Sequence, residues 1–177
     1  MNLVFKPTVE EEDCYHDEEI ANYNSNTPII NVENIHFTEP VQNAIMNDSY
    51  FIRIIYSDDD ASLTGLMIPM YFNCVTVFKS FNKSVIIYDL HSHKEMILKI
   101  CDLEVAILER YSQILKLYKN QEKCSVYNLT TQLRSCSIKL FDDIDKSLDE
   151  CNIVLKISGI WENDKEIGIT FKFILLC

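Results

Sequence analysis

The stretch Ile153-Val154-Leu155-Lys156-Ile157-Ser158-Gly159-Ile160-Trp161 leads through Glu162-Asn163-Asp164-Lys165-Glu166 into Ile167-Gly168-Ile169-Thr170-Phe171-Lys172-Phe173-Ile174-Leu175. Apolar residues alternate with period two on both sides of a five-residue polar loop, the pattern of an antiparallel hairpin. Centring the loop on Asp164 sets Leu155 opposite Phe173, Ile157 opposite Phe171, Gly159 opposite Ile169 and Trp161 opposite Ile167. That is one continuous apolar face. The other face then pairs Lys156 with Lys172 and Ser158 with Thr170. Two lysines directly opposite each other repel unless they extend into water or something anionic lies across them.

Upstream, further segments read as strands. Tyr50–Tyr56 is dense in β-formers and stops at Ser57-Asp58-Asp59-Asp60, a turn signal. Gly65–Phe72 follows, and Pro69, which lacks an N–H, marks it as an edge strand or a bulge. Val75–Phe81, Val85–Tyr88 and Cys136–Phe141 are also extended, and Pro28–Val32 reads as a first strand. Between them lies one strong helix over residues 92–117. Ser92 and Glu95 have the spacing of a capping box. Met96, Ile100, Leu103, Ile107, Tyr111 and Ile114 form one apolar stripe, and Glu95–Lys99 is an i,i+4 ion pair. The fold class is therefore mainly β with one long helix (α+β). Its element order, three strands, a helix and a closing hairpin, is that of an OB-like antiparallel barrel closed by the C-terminal hairpin, an order shared with other α+β folds.

Composition bounds the function. The 177 residues carry a net charge of −11, and 47% are apolar, enough for one sizeable core. Residues 1–25 hold seven acidic residues against Lys6 alone and little apolar surface, so they read as an acidic, disordered tail ahead of a single OB-like domain over 26–177. An acidic total disfavours nucleic-acid binding, but the charge is uneven: residues 76–140 hold ten Lys and Arg against six Asp and Glu. Seven cysteines without a CxxC pair fit a reducing compartment. With no signal-peptide pattern at Met1–Lys6 and no apolar run long enough for a membrane span, an intracellular setting without membrane contact is expected.

No catalytic constellation is visible, so an enzyme is not expected. His91-x-His93 lacks partners at ligand spacing, and Asp58-Asp59-Asp60 lacks the glycine and glutamate of a calcium loop. Nucleotide-binding and hydrolase motifs are missing as well. No metal and no cofactor is expected.

A resemblance enters at the C-terminal hairpin. Val154–Glu162 followed by Gly168-Ile169-Thr170-Phe171-Lys172-Phe173 resembles the closing hairpin of OB-fold-type single-stranded-DNA-binding proteins of large double-stranded-DNA viruses and virus-like elements. The strand Arg53–Tyr56, the strand from Gly65 and the helix segment Glu104–Tyr111 are compatible with that family. The acidic N-terminus departs from it. The resemblance implies a sequence-tolerant single-stranded-DNA-binding protein supporting viral DNA replication or recombination, acting in the host nucleus or cytoplasm at viral replication sites. Expected partners are single-stranded DNA, from the resemblance, replication proteins reached through the acidic N-terminal tail, from its charge, and further copies in a homo-oligomer. Such binders need a cationic groove and aromatic platforms. Arg53, Lys139, Lys156 and Lys172 occupy polar strand positions, and Tyr56, Tyr71, Tyr88 and Trp161 are the aromatic candidates, Tyr71 and Trp161 foremost. In the register above Trp161 lies on the apolar face, which favours core packing over stacking. The alternative is a structural or protein-interaction viral protein on a similar fold, without nucleic-acid binding.

Overall fold

The computed structural model describes residues 30–176 apart from Asp60, 81–82, 141–143 and 145–147. The acidic tail, Pro28 and Ile29 lie outside the described residues. A 3-10 turn, Val32–Asn34, precedes β1 (Ile35–Phe37) and β2 (Val41–Gln42). There follow β3 (Tyr50–Ser57), β4 (Ser62–Thr64), β5 (Leu66–Asn73), β6 (Thr76–Ser80) and β7 (Lys83–Ile87). Helix α1 (Lys94–Ile114) runs into a π-helical turn, Leu115–Lys119. Then come β8 (Cys124–Val126), a short helix α2 (Asn128–Arg134), β9 (Ser137–Leu140) and the long hairpin β10 (Glu150–Glu162) and β11 (Glu166–Leu176).

The chain is mainly β with one long helix. Eight strands form a curled half-barrel sheet, and β6, β7 and β9 form a second, three-stranded one. Strand β10 is the axis of the large sheet. Along one edge it pairs with β11, and along the other with β5 (Glu150–Ile157) and then β3 (Gly159–Glu162). The handover is made at Gly65, whose φ of +81° only glycine adopts without strain. There the chain leaves β3 as β4 and continues on β10 as β5. A Cβ at residue 65 would lie 2.8 Å from the Ile157 carbonyl oxygen. Among the described strands β5 pairs with β10 alone, so Pro69, opposite Val154, is an edge residue, as its missing N–H requires.

Helix α1 lies as the apolar stripe predicts. Met96, Ile97, Ile100, Ile107, Leu108 and Tyr111 are buried with Ile153, Leu155, Ile157 and Ile160 of β10 in one core. Lys99 pairs with Glu95 at 2.8 Å. The capping box does not form. His93 is the N-cap and makes no side-chain cap bond. Ser92 is instead held by Asp89, whose carboxylate accepts from both its amide (2.8 Å) and its hydroxyl (2.7 Å). The short helix α2 was not legible locally, because its cap comes from elsewhere. The fully buried Glu104 carboxylate of α1 accepts from the amides of Leu129 (3.1 Å) and Thr130 (2.7 Å).

Candidate functional site

The hairpin register holds as far as the middle of the strand and then changes. Leu155 faces Phe173, Lys156 faces Lys172 and Ile157 faces Phe171, as the alternation requires. A bulge between Ile157 and Gly159 then shifts the pairing by one. Gly159 faces Thr170 rather than Ile169, and Trp161 faces Gly168 rather than Ile167. An inserted residue inverts the in–out alternation beyond it. Ile160 and Glu162 therefore point into the core, and Trp161 turns to the outer face, where it is half-buried.

The cross-strand registers define that outer face row by row. Arg53 stands beside Gly159, and Gly159 beside Thr170. Val41, Phe51, Trp161 and Gly168 form the next row. On the other side of the bulge, Met67, Lys156 and Lys172 share a row, and Tyr71 stands beside Asn152 further along. Five residues singled out from the sequence, Arg53, Tyr71, Lys156, Lys172 and Trp161, thus share one face of the large sheet. Lys139 does not join them. It lies on β9 of the second sheet, opposite Val85, because the chain turns away after β5 at Cys74 (φ 51°).

The two ends of the face differ in chemistry. At one end the Tyr71 hydroxyl donates to the Glu150 carboxylate, and this bond is the main cause that pushes the phenol up to about 12. A carboxylate at that end disfavours a phosphate there. At the other end two aromatic rings lie over glycines. A Cβ on Gly168 would sit 2.6 Å from the Trp161 indole, and one on Gly159 would sit 2.7 Å from the Phe51 ring and 2.2 Å from the Ile52 carbonyl oxygen. Both rings therefore lie down against the sheet. Arg53 sits 5.9 Å from the Phe51 ring centroid, a cation–π distance. No protein-family model matches the chain, and neither a curated protein nor a solved structure matches it significantly.

Several cations elsewhere are engaged. Lys99, Arg110, Lys116 and Lys123 of the basic segment pair with Glu95, Glu33, Glu122 and Glu162. Among the described residues no salt bridge reaches Arg53, Lys156 or Lys172. Half of the ten cations of residues 76–140 are thus drawn into ion pairs around the helix.

Beneath Trp161, on the core side, Glu162 anchors the hairpin end. It accepts from the Tyr111 hydroxyl and from Lys123 Nζ (2.7 Å), with Lys119 Nζ at 3.9 Å. Burial, the largest single influence, pushes the Glu162 carboxyl up. The hydrogen bonds from Lys123 and Tyr111 and the charges of Lys123 and Lys119 together outweigh it and hold the carboxyl below its ordinary range. Burial, then the bond to Glu162, pushes the Tyr111 phenol well up.

Other sequence candidates have structural roles. His93 packs against Phe72 and Tyr88, with burial lowering its basicity, while His91 is exposed. Asp58 Oδ1 accepts from the Ala61 amide (2.9 Å) and shapes the β3–β4 turn. Among the described residues no group of three or more His, Cys, Asp or Glu is placed to hold a metal. No described helix is long and apolar enough to cross a membrane. Sequence reasoning missed Phe51. Its aromatic neighbour lies over a hundred residues away, and only the β3–β10 register joins them.

Proposed function

We propose that the protein binds single-stranded DNA with little sequence preference, on an OB-like fold, in support of viral DNA replication or recombination. What supports this reading above all is the bulge, which turns Trp161 onto the same face as Arg53, Lys156 and Lys172. A single strand needs cations for its phosphates and flat rings for its bases, and this face offers both. The unpaired lysine row at 156 and 172 is relieved when an anion lies across it. The glycines under Trp161 and Phe51 let both rings lie flat along the sheet.

The test is salt-dependent binding of an unstructured oligonucleotide by the full chain and by Lys156→Ala/Lys172→Ala. Each single-strand phosphate contact contributes about 0.7 to the log–log salt slope. The double variant is expected to bind more weakly with a slope shallower by about 1.4, if each lysine makes one contact. Equal affinity and slope would remove this face from the reading.

A second reading has its own observation. Met67 and Pro69 are exposed beside Lys156 and Lys172, and Tyr71 is tied to Glu150. An apolar edge strand of this kind suits a protein partner. Failure to bind any single strand at low salt would favour it.

A further inference from the structure

A groove of about 550 Å³ opens beside Trp161 and Phe51. The two rings line it together with Ile169, Thr170 and Phe171 of β11. Its far wall is the segment from Val41 to Met46, which leaves β2 and returns to β3 through Asp48 (φ 55°). Ile45 is 93% exposed and Met46 41% exposed, although both line the groove. Large apolar side chains held out in water beside a flat aromatic floor are short of a partner. None of the lining residues carries a charge. Arg53 borders the floor from the Phe51 side.

We infer that this groove takes one unpaired nucleobase, stacked on Trp161 and covered by Ile45 and Met46, while the sugar–phosphate backbone continues past Arg53 toward Lys156 and Lys172. The inference rests on the single-strand reading above and adds the residues that grip a base. The occupant is argued from shape and charge together. A base is flat and apolar on its faces, which suits the slot between two rings and two thin aliphatic chains. It is polar on its edges, which suits Gln42 and Thr170 at the rim. Its phosphates are anionic, and the cations that border the slot at Arg53 and lie along the same face at Lys156 and Lys172 suit them. An apolar peptide would use the slot but leave those cations unmatched.

The chain has one tryptophan, so its tryptophan emission, excited beyond the tyrosine absorption band, reports this floor alone. The experiment titrates the full chain and Ile45→Ser/Met46→Ser with oligothymidylate of about 16 nucleotides, the upper end of what one such fold covers. The second probe is an abasic strand of equal length and charge. Binding is followed by anisotropy of the labelled strand and by Trp161 quenching. The wild-type chain is expected to prefer the base-bearing strand by roughly 5- to 150-fold, the worth of one stacking contact, and to be quenched by it alone. The double variant keeps the Trp161 floor and is expected to lose the part of that preference that the Ile45–Met46 cover supplies, with the salt slope unchanged because no cation is touched. Ile45 is almost wholly in water and Met46 is exposed, so both substitutions leave the fold in place. Salt-dependent binding without base preference in the wild type, or with the same preference in the variant, would overturn the groove and leave the cationic face standing. No binding of either strand at low salt would overturn both.

Discussion

The two halves of the C-terminal hairpin, one on each side of Ser158, follow different rules. In the outer half, strict alternation buries Ile153, Leu155 and Ile157 and sets Lys156 against Lys172. In the loop half the same alternation is displaced by one residue, and Trp161 and Glu162 exchange the sides a uniform strand would give them. A tryptophan leaves the core for the surface, and a carboxylate leaves the surface for the core. Fold and site are therefore coupled at one bulge: the inward half-turn anchors Glu162, and the outward one presents Trp161.

The largest effect is expected from breaking the inward side. Glu162→Ala leaves the Lys123 ammonium, which is nearly fully buried, without its counter-charge and with only the Asn163 carbonyl oxygen (2.6 Å) as acceptor. Breaking a buried pair from one side costs about 3–5 kcal/mol, measurable by urea unfolding. The same group sets an acid limit. Its folded pKa lies below the ordinary 4.5, so its contribution is complete above that value and is lost as pH falls through the folded one. The variant is expected to show a flatter stability profile below pH 4.5 than the wild type. An unchanged profile would mean that Glu162 does not carry the acid sensitivity.

Breaking the outward side is milder. Gly168→Ala puts a methyl 2.6 Å from the indole, and the ring must tilt away. Overpacking of this kind costs about 1–3 kcal/mol. Trp161 emission is expected to shift with it, while the Tyr111–Glu162–Lys123 anchor keeps the acid profile of the wild type. A loss of stability without a spectral shift would show that the strand moves instead of the ring.

The smallest effect concerns residues 1–25, which lie outside the described residues. They hold seven carboxylates, opposite in sign to the cations of the outer face. Deleting them is expected to raise single-strand affinity modestly at low salt and to change nothing at high salt, where screening removes the competition. Unchanged affinity at low salt would leave the segment a solubilising role.

Much of the fold is written locally. The 96/100/107/111 stripe placed α1, and the alternation of residues 153–157 with 171–175 placed the outer hairpin. The bulge had a signal, an isolated glycine at 159 inside a strand pattern, but uniform alternation on both sides of the loop outweighed it. The rest depended on distant partners. Asp89 displaces the Ser92 capping box, Glu104 caps a helix 25 residues away, and Phe51 meets Trp161 only through sheet register. Lys139 was grouped with the other cations because its strand alternates as theirs do. Alternation fixes which side of a sheet a residue takes, not which sheet it joins.

The Glu104 cap also bears on how the molecule opens. A helix of seven residues, such as α2, is not self-supporting in water. Its first amides are satisfied by a carboxylate that belongs to α1 and has no exposure of its own. Undocking α2 therefore leaves a buried carboxyl group without its amide donors, and unravelling the middle of α1 removes the cap of α2. Neither helix can fray far without the other, so the two form one cooperative unit, whose amides exchange with solvent together rather than helix by helix.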